Sequence, residues 1–68
     1  MDTKWGARTD GKEVWAIDLK RGIQRKYLRC DDWRVSGAQS LGDEIVISYE
    51  NGRVRVWDPA TDSTHLIL

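Results

Sequence analysis

One histidine, one cysteine and four tryptophans in 68 residues define what chemistry this chain can host. His65 lies between Thr64 and Leu66 near the end of the chain, in a segment that reads as an edge strand. No serine and aspartate accompany it in a nucleophilic arrangement, so it reads as a surface residue. Cys30 is the only cysteine, which excludes an intrachain disulfide. Together with His65 it still falls short of the four Cys or His ligands that a structural zinc site wants. Asp31 and Asp32 are adjacent and would point to opposite faces of a strand, so they fit a turn or cap better than an acid–base pair. Gly42-Asp43 and Asn51-Gly52 are followed by no Gly-Lys-Ser/Thr and precede no helix, so neither is a phosphate loop. The sequence argues against an enzyme and assigns no catalytic residue, metal ligand or cofactor.

Binding chemistry is better represented. In a regular strand Trp57 shares a face with Arg53 and Arg55, where long arginine stems either cover the indole or leave it as part of a contact surface. Lys20, Arg21, Arg25, Lys26 and Arg29 extend such a surface toward a basic and aromatic platform for single-stranded nucleic acid. Eleven Lys and Arg against eleven Asp and Glu weaken that reading, because bulk attraction to phosphate is missing. The balance is uneven along the chain: residues 1–34 carry nine basic and six acidic side chains (+3), and residues 35–68 carry two and five (−3). The chain ends in Leu66, Ile67 and Leu68, which put apolar side chains on both faces of a terminal strand. Such an edge invites pairing with a second chain.

These side chains must be positioned by short elements. Turn-forming pairs recur about every ten residues, at Asp10-Gly11, Arg21-Gly22, Asp31-Asp32, Gly42-Asp43, Asn51-Gly52 and Thr61-Asp62. Asn51-Gly52 is the strongest, since both residues tolerate the positive φ of a type I′ hairpin. It separates two alternating runs, with Ile45, Ile47 and Tyr49 on one face of the first and Val54 and Val56 on one face of the second. Pro59, lacking an amide hydrogen, ends the second run. Residues 13–19 are apolar on both sides, which predicts a central strand. Residues 19–30 are ambiguous: Leu19, Ile23 and Tyr27 also repeat as a helical stripe, but Gly22 costs a helix about 1 kcal/mol relative to alanine. The expected fold is therefore a single all-β domain over residues 1–68. It would be an antiparallel meander of six or seven short strands forming a small barrel or a blade-like sheet. A helix near 19–30, giving α+β, is the alternative. The expected core is Trp15, Ile17, Leu28, Val35, Ile45, Ile47, Val54 and Val56, with Trp5, Trp15 and Trp33 as buried anchors.

Sliding the sequence against itself by 40 residues aligns Asp18 with Asp58, Val14 with Val54, Ala16 with Val56, Ile17 with Trp57 and Leu28 with Leu68. A period near 40 is the length of a β-propeller blade. The stretch Glu50-Asn51-Gly52-Arg53-Val54-Arg55-Val56-Trp57-Asp58-Pro59-Ala60-Thr61-Asp62 resembles the third strand and following turn of a WD40 repeat, including its Trp-Asp pair. With Gly42 to Ser48 before it, the segment is also similar to the repeat of quinoprotein-type (PQQ-like) propellers. The likeness covers about one and a half blades. The Gly-His that opens a WD40 repeat is replaced by Arg29-Cys30-Asp31-Asp32. Tyr49, Asn51 and Arg53 stand where the family places the Ser, Asp and Thr of its tetrad.

A closed propeller needs at least about four blades of four strands, more than 68 residues supply. The meander is then expected to close on itself as a small barrel or sheet, to assemble from several chains, or to be excised from a longer chain. The initial Met and the complete set of turns weigh against excision. The favoured expectation is a non-catalytic protein-interaction or self-assembly module whose partner, itself or another protein, pairs with an exposed strand edge. The alternative is a small β-barrel that binds single-stranded nucleic acid. No signal sequence opens the chain and no apolar run approaches the roughly 18 residues of a membrane span, which predicts a soluble, cytoplasmic protein.

Overall fold

Tight turns rather than helices organise the chain. The computed structural model describes residues 3–68, which form seven strands: β1 (Trp5–Thr9), β2 (Glu13–Asp18), β3 (Ile23–Arg29), β4 (Val35–Leu41), β5 (Glu44–Tyr49), β6 (Val54–Asp58) and β7 (Ser63–Leu66). No helix occurs among the described residues. The helical alternative for 19–30 is corrected: Leu19 to Gly22 form a turn and Ile23–Arg29 a strand, in which Trp15 pairs with Tyr27 and Val14 with Leu28. Glycine in the left-handed region, Gly22 at φ 71°, stops any helix from starting there.

The strands form two antiparallel sheets in chain order. Sheet A is β1-β2-β3 and sheet B is β4-β5-β6-β7. They remain separate, so the closed barrel is not formed. β1 packs against β4 and β5. Two backbone bonds stitch the halves together: Lys4 N–H to the Gly42 carbonyl (3.2 Å) and Val35 N–H to the Gly11 carbonyl (2.8 Å).

Two kinds of turn occur twice. At the β2–β3 corner the Asp18 carboxylate accepts the N–H groups of Lys20 (3.0 Å) and Arg21 (3.3 Å), and the Asp18 carbonyl accepts Gly22 N–H (2.7 Å). Forty residues on, Asp58 accepts Ala60 N–H on its carboxylate (3.0 Å) and Asp62 N–H on its carbonyl (2.7 Å). Asp62 takes the left-handed conformation (φ 60°) that Gly22 takes in the first corner. Aspartate is among the few residues that tolerate it. Likewise Asp10 accepts Lys12 N–H (2.8 Å) and Asn51 accepts Arg53 N–H (3.0 Å).

The hairpin at Asn51-Gly52 forms where expected, but not as a type I′ turn. Only Gly52 has positive φ (88°), Tyr49 N–H donates to the Arg53 carbonyl, and Gly52 N–H donates to the Tyr49 carbonyl. This is a three-residue loop ending in a left-handed glycine, the next commonest hairpin closure.

The core lies between the sheets and is built from Trp5, Val14, Ala16, Cys30, Val35, Ile45, Ile47, Tyr49 and Trp57. Val35, Ile45 and Ile47 are core residues as expected, and Leu28 is half-buried against them. On β2 the expected face is reversed: Val14 and Ala16 are buried, while Trp15 and Ile17 are only half-buried on the outer side. Both faces of that strand are apolar, and the smaller side chains let sheet A lie close on sheet B. On β6 the cross-strand pairs Ile45–Trp57 and Ile47–Arg55 put Trp57 and Arg55 on the core face. Val56 is buried and Val54 half-buried, but on the opposite face, beside Val46 and Ser48. Of the three expected tryptophan anchors only Trp5 is buried; Trp33, like Trp15, is half-buried.

Candidate functional site

The side chains expected to bind are distributed over three places. Trp57 is not at the surface: it is fully buried, and its indole N–H donates to the Asp62 carboxylate at 3.1 Å. The face it shares with Arg55 is the one that packs on sheet A, so it cannot serve as a stacking platform.

Trp33 is the aromatic that the arginines cover instead. The Arg53 guanidinium lies 5.5 Å from the Trp33 ring centre and that of Arg55 5.9 Å from it. Arg55 also lies 5.6 Å from the Tyr49 ring and donates to Asp32 at 2.9 Å. Trp33 and Tyr49 meet edge to face at 5.2 Å. Arg55 thus closes one end of the core with its stem and its charge, whereas Arg53 is exposed. Beneath this cluster Tyr49 Oη donates to the buried Cys30 Sγ at 3.6 Å. Burial pushes the Cys30 thiol up from its ordinary value. Burial, aided by the bond to Cys30, pushes the Tyr49 hydroxyl up as well. Neither is poised as a nucleophile, because the thiolate and not the thiol attacks.

Lys20, Arg21, Arg25 and Lys26 gather elsewhere, around a hollow of about 440 Å³ that also touches Trp5, Asp18, Pro59 and Ala60. Pro59 and Ala60 follow the far end of β6 from Arg53, so this basic group and the arginines over Trp33 form two clusters rather than one platform. Arg29 pairs with Asp31 at 3.0 Å, which holds its guanidinium above the ordinary range. The Trp5 indole nitrogen is buried and has no hydrogen-bond partner among the described residues.

The third place is the terminal edge. β7 pairs only with β6, all four of its residues are exposed, and Leu66, Ile67 and Leu68 are 41%, 54% and 72% exposed. The ladder runs on past β7: Ile67 N–H donates to the Val54 carbonyl (2.9 Å) and Val54 N–H to the Leu68 carbonyl (3.1 Å). The terminus is therefore tied to β6 on one side, with Ile67 and Leu68 both set against Val54.

Sequence reasoning found this edge but missed the Trp33, Arg55, Asp32 and Tyr49, Cys30 contacts. Their members lie 19 to 23 residues apart in the chain, and no local pattern marks them. The Trp57–Asp62 bond did have a signal, the shared turn forty residues after Asp18. Compared with known proteins, the chain matches no protein-family model, no curated protein and no solved structure.

Proposed function

We propose that the protein is a non-catalytic interaction module, built of propeller-like hairpins, that pairs with itself or another protein through its terminal edge strand. The observation that carries this reading is the ladder of Ser63–Leu66, paired on one side only and prolonged by the bonds of Ile67 and Leu68 to Val54, with Leu66, Ile67 and Leu68 in solvent. An edge strand offers unpaired N–H and C=O groups to an incoming strand, and natural sheets usually blunt it with charge or proline. From Ser63 to Leu68 there is neither. The WD40-like reading draws support from the two matching aspartate corners at Asp18 and Asp58.

Sedimentation of the full chain and of a variant lacking Leu66 to Leu68 tests the proposal. Weaker association with the fold intact supports it, whereas unchanged association overturns it. Salt separates it from nucleic-acid binding through Arg53, Arg55 and the basic hollow. Phosphate-driven binding weakens steeply as salt rises, and strand pairing responds little.

A further inference from the structure

The two sheets are successive copies of one unit, and the way they stack turns one copy of each mating face away from the joint between them. Strands β1-β2-β3 correspond to β5-β6-β7: Asp18 and Asp58 cap the same corner, and Val14 and Ala16 correspond to Val54 and Val56 at an offset of 40. In sheet A the face bearing Val14 and Ala16 packs on sheet B. The corresponding face of sheet B, with Val46, Val54 and Val56, looks away from the core. Conversely, sheet B meets sheet A with the face of Ile45, Ile47 and Trp57. The corresponding face of sheet A, with Trp15 and Ile17, is the outer one. Both outer faces set apolar side chains among polar ones: Arg8, Glu13 and Arg29 flank Trp15 and Tyr27 on sheet A, and Gln39, Glu44, Ser48 and His65 lie among Val46, Val54 and Val56 on sheet B. Tyr27 joins Trp15 at 60% exposure and Leu41 borders Val46 at 68%.

We infer that copies of this chain stack head to tail, the outer face of sheet B in one copy seating on the outer face of sheet A in the next and repeating the contact already made inside each chain. This rests on the reading of the protein as an interaction module, but it names a second surface, a sheet face rather than an edge, and it names the occupant. Charge favours the same order. The half carrying sheet A is +3 and the half carrying sheet B −3. Arg8 stands opposite Trp15 on the outer face of sheet A, and Glu44 lies on the same side of β5 as Val46. Copies meeting like face to like face would set equal charges together. Because the two surfaces differ, the contact is heterologous and generates a ring or an open stack rather than a two-fold dimer.

Complementation between face variants tests this in solution. Tyr27→Glu spoils the outer face of sheet A and Leu41→Arg that of sheet B, and both positions are exposed enough to leave the fold intact by circular dichroism. Sedimentation is expected to show wild-type association that grows with concentration and, with Leu66 to Leu68 also removed so that edge pairing does not contribute, each variant alone as a monomer and an equimolar mixture as a one-to-one dimer that grows no further. A monomeric wild-type chain, or variants that associate as the wild type does, would overturn the stacking. So would a mixture that stays monomeric. The chain lacking Leu66 to Leu68 keeps both faces and is expected to stack. If it alone loses association while the face variants keep it, the edge reading stands and the stacking falls.

Discussion

Asp62 holds the indole of Trp57 from five residues away: the carboxylate that ends the β6–β7 corner accepts the Trp57 N–H at 3.1 Å, inside a side chain that is otherwise fully buried. Removing a partner from a buried donor costs about 1–3 kcal/mol. Asp62→Ala is therefore expected to lose that much in urea unfolding, and somewhat more because alanine resists φ 60°. Asp62→Asn keeps both an acceptor and a residue at home in that conformation. It is expected to stay within about 1 kcal/mol of wild type.

The reversed face of β2 makes a second test. Val14 is wholly buried while Trp15 is half-buried on the outer side. Val14→Asp places an unpaired carboxylate in the core and is expected to unfold the domain, because burying a lone charge costs several kcal/mol. Trp15→Gln is expected to keep the fold. Ile47→Ala should cost about 2–5 kcal/mol, near the whole stability of so small a domain. Thermal melts followed by circular dichroism read all three.

Cys30 and Tyr49 give the domain an alkaline weakness. Both are held above their ordinary values by burial, so the unfolded chain ionises first as pH rises. Their stabilisation is complete below about pH 9 and declines above it, as the unfolded thiol ionises from 9.0 and the unfolded phenol from 10.0. Alkylation of Cys30 by iodoacetamide at pH 8 should be slow in the native protein and rapid in urea. Equal rates in both would show that the thiol is not shielded.

Asp10 acts at the acid end. The backbone N–H groups of Glu13 and Lys12 donate to its carboxylate and hold it below the ordinary value of 3.8. A depressed carboxyl stabilises the fold above its unfolded value and loses that effect as pH falls through the folded one. The stability difference between wild type and Asp10→Asn should therefore shrink as pH drops below 3.8. Titration of the Asp10 carboxyl by NMR is expected to give a midpoint under that value.

The sequence disclosed the corners better than the faces. Aspartate, asparagine and glycine bend the backbone through local bonds, so six turns and the strand runs at 13–19, 44–49 and 53–58 could be read from short windows, whereas 19–30 stayed open to a helix. Which side of β2 turned inward depended on how sheet A docks, a contact that Val14 and Trp15 satisfy equally well by hydropathy alone. Trp57 misled for the same reason: its arginine neighbours made its face look wet, but Arg55 arches over Trp33 and Tyr49 and leaves the indole dry. Of the candidate site, the terminal edge was legible because it is local. The covering of Trp33 was not, since Arg55 reaches Asp32 across 23 residues.

Chain-order pairing of the strands has a kinetic consequence. Every hydrogen-bonded strand pair joins neighbours in sequence, so each closes a short loop at small entropic cost, and isolated hairpins form in microseconds. The slow event is left to the joint between the halves, where Lys4 must find Gly42 and Gly11 must find Val35. Folding of this domain is thus a docking problem, with two preformed ribbons searching for one orientation. Substitutions at the joint are expected to slow folding more than equally destabilising ones inside either ribbon.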